Sequence, residues 1–180
     1  LSSLNDLDEL PDVIADNKRL ESLFGDSYVS VCKALKDCEQ VRLFSDMERN
    51  GVEVITWFSD KYPSKLRDID EPPYVLFCKG NVSLLNKDGI AVVGTRKISS
   101  YGRRVAADFT RLLADDFVIV SGLAYGVYSV AHEVTLQEQG ETLAVLGSGI
   151  LNIYPSANEG LAKRIVDNGG LVVSEYGLRA

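Results

Sequence analysis

Glycine and hydroxyl-bearing residues follow three short apolar runs of the chain. They lie in residues 94–102, 121–126 and 147–149. Glycine lets the backbone turn sharply and approach a ligand, and unpaired backbone N–H groups at the start of a helix attract anions. Residue types of this kind, placed where strands end, predict a binding site for phosphate groups.

The first of these segments also carries positive charge. Arg96 offers a permanently charged, forked donor that matches phosphate oxygens. Ser99 is predicted to cap a helix whose N-terminal dipole favours an anion. We therefore predict that Gly94, Thr95, Arg96 and Lys97 contact phosphate.

The other two segments repeat this chemistry with less charge. Ser121, Gly122 and Gly126 are predicted to line the site from the second segment, and Gly147 and Ser148 from the third. One glycine-rich loop after a strand is usually only turn geometry. Three on successive strands of one sheet would align along one edge, so together they are stronger evidence for a site.

Three further residues have side chains that could take part in chemistry. Tyr125 either stacks on a base, a contact worth about 1–3 kcal/mol, or covers the edge of the sheet. Glu175 either contacts a ribose or base or has a structural role. His132 has no assignable serine or cysteine partner, so we expect it to pack within a helix. No catalytic residue is predicted.

Charge is distributed unevenly along a chain whose net charge is −7. Residues 1–60 hold 6 Lys and Arg against 13 Asp and Glu, whereas residues 61–180 hold 13 of each. Phosphate binding needs a local positive field on one face rather than a basic total. The basic residues near the first segment, set against the single acid Asp108, are Arg96, Lys97, Arg103, Arg104 and Arg111. This run is either such a field or an ordinary solvated helix face.

The strands and helices that must position these residues can be predicted from residue 90 onward. Apolar runs of strand length alternate there with amphipathic segments. Strands are predicted at residues 90–93, 117–120, 142–146 and 171–174, and helices at 100–114, 126–139 and 157–168. Short connections between them predict an α/β fold, a Rossmann-like parallel sheet of right-handed βαβ units. The first run is apolar throughout, which predicts a strand covered on both faces.

The amphipathic pattern of residues 100–114 assigns the core face of that helix to Val105, Phe109, Leu112 and Leu113. In sheets of this type, ligands bind at the carboxyl ends of the strands. The three glycine-containing segments all follow predicted strands. The predicted phosphate site therefore lies at that end of the sheet.

The beginning of the chain is expected to form a separate unit. Residues 1–60 predict a small, acidic, mainly helical accessory domain, whose last helix ends at Asn50-Gly51. Residues 61–180 are predicted to form the Rossmann-like core. A short strand at 52–57, a short helix at 64–67 and a strand at 74–78 lead into it.

Composition and motifs argue against several classes of protein. No apolar run approaches the roughly 18 residues of a membrane span, and no signal peptide is evident, so the cytoplasm is the expected compartment. The three cysteines and one histidine fall in no metal-ligand spacing, so no metal site is predicted. The dinucleotide fingerprint and the P-loop are absent, so neither NAD nor another cofactor is expected.

The residues in this order resemble the DNA-processing protein A (DprA/Smf) family over about residues 52–177. The early part of the match comprises Tyr62-Pro63, Pro72-Pro73, Lys79-Gly80-Asn81 and the run from Ala91 to Arg96. The later part comprises Tyr101-Gly102, Val120 to Ala124, Ala131-His132, Leu143 to Gly149, Tyr154-Pro155 and Ser174-Glu175-Tyr176.

The resemblance implies a Rossmann-like core that binds single-stranded DNA without strong sequence preference, often as a dimer, and with no catalytic step. It also implies the recombinase RecA as a partner, loaded onto incoming strands during natural transformation. By match, Arg96 is the family's loop arginine and a phosphate contact. Gly94, Ser121, Gly122 and Gly126 match the loops that form the pocket.

The chain departs from the family pattern at three places. Thr95 replaces the usual serine, and Tyr128 stands where the family usually has aspartate. The chain stops at residues 177–180, where the family continues with a Phe-Pro-x-Arg-Asn-Arg segment and further strands. The sheet is therefore expected to be incomplete at its C-terminal side, as in a fragment or a natural short form.

Two other functions remain open from the sequence. One is a nucleotide-binding or nucleotide-sensing protein related to the phosphoribohydrolases, although the Pro-Gly-Gly-x-Gly-Thr-x-x-Glu run of those enzymes is absent. The other is a structural or partner-binding remnant whose DNA groove no longer functions. Tyr128 and the early end of the chain are the features that favour this alternative.

Overall fold

A computed structural model describes residues 39–180. The chain divides into two compact units, Leu1–Arg49 and Asn50–Ala180. The helices predicted before residue 39 lie outside the described residues, and the acidic accessory domain stays a prediction. The helix predicted to end at Asn50-Gly51 is α1, Glu39–Asn50. Gly51 follows it with a φ of 62°, a left-handed conformation that commonly ends a helix.

Six strands form one mixed sheet in the order β1-β2-β6-β5-β4-β3. The strands are β1 (Glu53–Thr56), β2 (Val75–Gly80), β3 (Gly89–Ala91), β4 (Val118–Ser121), β5 (Thr142–Leu146) and β6 (Leu171–Ser174). Strands β3 to β6 are parallel, as predicted, whereas β2 runs antiparallel to both β1 and β6. Because β1 pairs with β2, it belongs to the unit that begins at Asn50 and not to the preceding segment.

Three helices connect the parallel strands and cover one face of the sheet. They are α3 (Ser100–Ala114), α4 (Val127–Gln137) and α5 (Glu159–Asp167). The shorter elements are α2 (Ser64–Arg67) and two 3-10 helices, Val82–Asn86 and Ser156–Asn158. Each right-handed crossover moves one strand in the same direction, so the three helices lie side by side on one face. None of the helices in residues 39–180 is long and apolar enough to cross a membrane.

Apolar side chains pack against both faces of the sheet. On the face covered by helices, Ile119 packs with Ala114 and Ala131. The opposite face is covered by the segment around Tyr62 and by the first 3-10 helix. The buried residues of that second cluster are Ile55, Tyr62, Leu76, Cys78, Leu84, Val118, Leu143, Leu171 and Val173.

The prediction that residues 90–93 form a strand covered on both faces is wrong. Strand β3 lies at the end of the sheet, Ala91 is exposed and Val93 is 67% exposed. Helix α3 differs from expectation in the same region. Its buried residues are Thr110 and Ala114, and the predicted core residues Phe109 and Leu112 are exposed. An apolar run indicates that a strand can be buried, but it does not indicate which position the strand takes in the sheet.

His132 has the packing role predicted for it. It is fully buried in α4, and its Nδ1 lies 2.7 Å from Thr142 Oγ1, which itself donates to the Ile119 carbonyl. The Thr142 oxygen can therefore accept from Nδ1–H in the tautomer that carries the proton there, and Nε2 has no hydrogen-bond partner within the described residues. Burial lowers the pKa of His132 to about 4, although the Ser121 backbone partly offsets this effect. The side chain is neutral and joins α4 to β4 and β5.

Candidate nucleic-acid interface

The parallel strands β3 to β6 all end at the same edge of the sheet, which we call the carboxyl edge. Four loops leave the strands there: loop 1 (residues 92–99), loop 2 (122–126), loop 3 (147–155) and loop 4 (175–180). Because β2 is antiparallel to β6, the beginning of β2 and the end of β1 also reach this edge. The three segments predicted to bind phosphate are thus neighbours, as the sequence predicted.

Loops 1 and 2 pack directly against each other. The Val127 N–H donates to the Thr95 carbonyl at 3.2 Å. Gly126 has a φ of 79°, and a Cβ at this position would collide with the carbonyl oxygens of Thr95 and Arg96. A Cβ on Gly94 would lie 2.7 Å from a Val127 methyl carbon. Both glycines are therefore required by the close approach of the two loops.

Arg96 and Lys97 are exposed at the tip of loop 1. In residues 39–180, no ion pair involves either side chain. The turn beneath them is closed by Thr95, whose Oγ1 accepts from the Lys97 N–H at 3.1 Å. The positive charge at the tip is consequently not paired by any described carboxylate, and it is held on a defined turn.

The N-terminus of α3 is capped as predicted. Ser99 Oγ accepts from the Gly102 N–H at 3.1 Å. Two backbone N–H groups of this region, those of Lys97 and Gly102, are therefore already bound to side-chain hydroxyls. An anion at loop 1 would therefore depend on the two cationic side chains and on the remaining amides.

The basic residues predicted as one local field are not equivalent. Arg111 pairs with both Asp108, at 3.0 Å, and Glu138, at 3.1 Å. Arg103 lies 4.0 Å from a carboxylate oxygen of Glu133. In contrast, Arg104 faces the ring of Tyr101 at 5.9 Å from its centroid. The charge near loop 1 is thus partly neutralised farther along α3.

Ser121 does not present its hydroxyl to a ligand, although the sequence placed it in the site. It is 3% exposed, and its Oγ donates to the Val92 carbonyl at 2.8 Å. This hydrogen bond joins the end of β4 to loop 1. Ser121 therefore supports the loops from beneath, a direction that sequence alone could not specify because Val92 is distant along the chain.

Tyr128 packs over loop 2. The side chain is half-buried, and a Cβ on Gly122 would lie 3.2 Å from an atom of the Tyr128 ring. The ring therefore occupies the space directly above Gly122. The exposed surface of loop 2 is left to Tyr125, which is 49% exposed.

Loop 3 contributes backbone more than side chain. Nothing lies within 4 Å of a Cβ built on Gly147, so this residue faces open space. The Ser148 hydroxyl donates to the Asn152 carbonyl at 2.7 Å, and the Ser148 carbonyl accepts from the Ser174 hydroxyl at 2.7 Å. The Ser148 hydroxyl, like that of Ser121, therefore fixes a loop. The phosphate contact predicted for Ser148 stays a prediction.

Residues distant in sequence hold the loops together. Asn158 is buried, and its Nδ2 donates to the Leu123 carbonyl at 2.7 Å, which joins the end of the loop 3 connection to loop 2. Leu123 has a φ of 54°, an uncommon conformation for a residue with a side chain. The Gly149 N–H donates to the Ala180 carbonyl at 2.7 Å and joins loops 3 and 4. Leu123 and Gly149 lie in segments that the sequence predicted to bind phosphate, whereas Asn158 and Ala180 were not identified from the sequence.

Exposed tyrosines stand in three consecutive loops of the carboxyl edge. Tyr125 in loop 2, Tyr154 in loop 3 and Tyr176 in loop 4 are 49%, 72% and 45% exposed. The sequence singled out only the first. The other two could have been found from the sequence, because each lies in a loop that follows a predicted strand and is an aromatic residue. Glu175, beside Tyr176, is also exposed.

A cleft of about 370 Å³ lies between α5 and the pair β2–β6, beside residues 150 and 153 of loop 3. Its lining includes Lys79, Ile150, Ile153, Lys163 and Val172. None of the predicted phosphate contacts lines it. The candidate interface is therefore an open edge of loops and not an enclosed pocket.

The sequence of residues 53–180 matches the model of a protein family described as DNA recombination-mediator protein A. The DNA processing protein DprA of Streptococcus pneumoniae is 43% identical over 118 residues, which are 66% of this chain and 42% of that protein. DprA of Bacillus subtilis is 35% identical over 137 residues, 75% of this chain and 46% of that protein. The chain thus spans less than half the length of these relatives.

Solved structures of the same kind share the fold. The X-ray structure of DprA from Streptococcus pneumoniae superposes with a TM-score of 0.69 at 32% identity, covering 89% of this chain and 56% of that one. A structure of DNA processing protein A from Helicobacter pylori, described by its single-stranded DNA binding mode, gives 0.60 at 31% identity and covers 69% and 55%. With its β-strand order, its loops and a family match over most of its length, this chain belongs to the DNA recombination-mediator protein A family.

Proposed function

We propose that this protein binds single-stranded DNA at the carboxyl edge, and that Arg96 is the main phosphate contact. The observation that carries the proposal is the state of Arg96. It is exposed, no carboxylate pairs with it in the described chain, and its loop is held in place by the contact with Gly126. A guanidinium in such a position can bind phosphate oxygens with two parallel hydrogen bonds.

The printed description of the Helicobacter pylori structure, which concerns single-stranded DNA binding, supports the same ligand. Lys97 adds a second charge next to Arg96, and Gly147 leaves the backbone of loop 3 open to solvent. Phosphates would lie against loops 1 and 2. Contacts of this kind depend little on base sequence because every nucleotide carries the same phosphate.

We further propose that the protein acts as a recombination mediator without a catalytic step. The description of the matching family supports this role. The same proposal includes RecA as the protein that receives the bound strand. It also includes a homodimer as the working form. Both concern the whole protein, of which the described unit supplies the DNA-binding edge.

The proposal is tested by measuring the affinity for oligodeoxythymidylate over a range of salt concentrations. Each lost phosphate contact lowers the slope of log affinity against log salt by roughly one unit. We expect Arg96→Ala to weaken binding and to reduce the slope by about that amount. Arg111→Ala is the matched control, since Arg111 is already paired with two carboxylates and should leave the slope unchanged.

Calorimetry with AMP provides the contrasting ligand. The proposal requires binding of the oligonucleotide and little binding of AMP, since a single nucleotide reaches few of the loops. Tight AMP binding with no oligonucleotide binding would instead identify a nucleotide-binding protein. An unchanged salt slope in Arg96→Ala would remove the assigned role of Arg96.

A further inference from the structure

We propose that Tyr125, Tyr154 and Tyr176 form a row of base-stacking residues along the carboxyl edge, so that the preferred ligand is a strand with unpaired bases. This inference rests on the proposed function and adds to it the direction of the strand and the contacts to its bases. The three residues are called the tyrosine row below.

The tyrosine row follows the order of the sheet. Strands β4, β5 and β6 are consecutive neighbours, and each is followed by a loop with one of the three tyrosines. Neighbouring strands lie roughly 4.8 Å apart, so the loops at their ends form a continuous line. Loop 1, with Arg96, lies next to loop 2 at one end of this line.

The rings are exposed without being loosely attached. Asn158, in the 3-10 helix that follows loop 3, donates to the Leu123 carbonyl of loop 2, and the Ser174 hydroxyl at the end of β6 donates to the Ser148 carbonyl of loop 3. The Tyr176 N–H donates to Ser174 Oγ at 3.0 Å. Three aromatic side chains are therefore presented to solvent on a frame of mutually bonded loops, which lowers the entropic cost of binding.

The chemistry of the row suits nucleobases. An aromatic ring stacks on any base, because every base has a π-face, and single-strand binding proteins combine such rings with a groove of positive charge. The positive charge of Arg96 and Lys97 lies at the loop 1 end of the row. At the other end, loop 4 carries one acidic side chain, Glu175, and one basic side chain, Arg179, so it adds no net positive charge. We infer that the phosphates follow loop 1 and loop 2 and that the bases turn toward the tyrosines.

The edge does not stop at loop 4. The β2–β6 register ends with Phe77 opposite Ser174, so the first two residues of β2 extend past the end of β6, on the side of loop 4. Tyr74, directly before β2, is 73% exposed, with its ring 6.2 Å from that of Trp57. A strand that follows the tyrosine row is therefore directed toward the beginning of β2.

The test compares two oligonucleotides of roughly 15 residues, one of deoxythymidylate and one with abasic sugars at every position. Both carry the same phosphates, so only the first can stack. We expect the unmodified protein to bind the thymidylate strand more tightly. Tyr154→Leu and Tyr176→Leu should each weaken that binding by roughly 5- to 150-fold, with the abasic strand bound as before and the salt slope unchanged.

Two further variants make the result specific to the rings. Tyr154→Phe keeps the ring and should bind like the unmodified protein, which separates stacking from a hydroxyl contact. Phe109→Leu removes an aromatic side chain that is 61% exposed on α3, away from the carboxyl edge, and should change neither affinity.

The outcomes separate this inference from the proposed function. If Arg96→Ala weakens both strands while the leucine variants bind both like the unmodified protein, the phosphate site stands and the tyrosine row is overturned. Equal weakening of both strands by the leucine variants also overturns the row, because it indicates lost folding or lost phosphate contacts. Failure of the unmodified protein to bind either strand overturns both.

Discussion

At the scale of single residues, the arginines near loop 1 differ in what surrounds them. Arg111 has two carboxylate partners and Arg103 has Glu133 at 4.0 Å, whereas no described residue forms an ion pair with Arg96. A charge that is already paired gains little from phosphate, because binding would first have to break the existing pair. The availability of each charge, rather than the number of charges, therefore singles out Arg96.

His132 makes the stability of the protein sensitive to acid. Its folded pKa is about 4, against 6.5 in the unfolded chain. Below pH 6.5 the unfolded chain binds a proton that the folded chain does not, so stability is complete above pH 6.5 and falls as the pH drops toward 4. At pH 5 we expect a loss of about 2 kcal/mol from this group.

The measurement is the free energy of unfolding in urea at pH 7.5 and at pH 5. His132→Gln removes the titrating group, so the drop between the two pH values should be smaller by about 2 kcal/mol than in the unmodified protein. The same drop in both proteins would show that carboxylates, and not His132, cause the acid sensitivity.

At the scale of the elements, the contact between loops 1 and 2 positions Arg96. Gly126→Ala places a Cβ against the carbonyls of Thr95 and Arg96, in a backbone conformation that side chains disfavour. We expect a destabilisation of about 1–3 kcal/mol and a loss of single-strand affinity at least as large as that of Arg96→Ala. Both are measured on the same protein, by urea unfolding and by fluorescence anisotropy.

Gly160→Ala is the control for this substitution. Gly160 lies in the first turn of α5, with nothing within 4 Å of a Cβ built on it. Alanine is favoured over glycine in a helix by about 1 kcal/mol, so stability should not fall and affinity should not change. Unaltered DNA binding in Gly126→Ala would contradict the role of the loop contact.

The elements themselves were largely predictable, because their signals are local. Helix α3 and strands β5 and β6 have the predicted bounds, since a cap at Ser99 and abrupt changes from apolar to polar residues mark their ends. The exposed position of β3 and the antiparallel β1 and β2 were not predicted. They depend on which strands become neighbours, and residues such as Val93 and Glu53 carry no local sign of that pairing.

The candidate site was predictable to the same extent. The positions of Gly94, Arg96 and Gly126 could be predicted because each lies in a loop that follows a parallel strand. The inward hydroxyl of Ser121 and the bond from Asn158 to Leu123 join residues far apart in the chain, so neither could be predicted.

At the scale of the whole molecule, a net charge of −7 is compatible with a site for a polyanion because the charges are separated. The excess of acidic residues lies in residues 1–60, while residues 61–180 are neutral overall. Long-range attraction of DNA is consequently weak, and binding depends on contacts at short distance. Such contacts weaken as the salt concentration rises, and they weaken more steeply the more phosphates are held.

Photo-crosslinking of an iodouracil-substituted single strand to the whole chain, followed by mass spectrometry of the linked peptides, tests the location of the site most directly. The carboxyl edge predicts crosslinks in loops 1 to 4, with Tyr125, Tyr154 and Tyr176 as the principal residues. Crosslinks confined to the exposed side of α3, at Phe109, or to the α5 side of the cleft, at Lys163, would contradict a DNA site at the carboxyl edge.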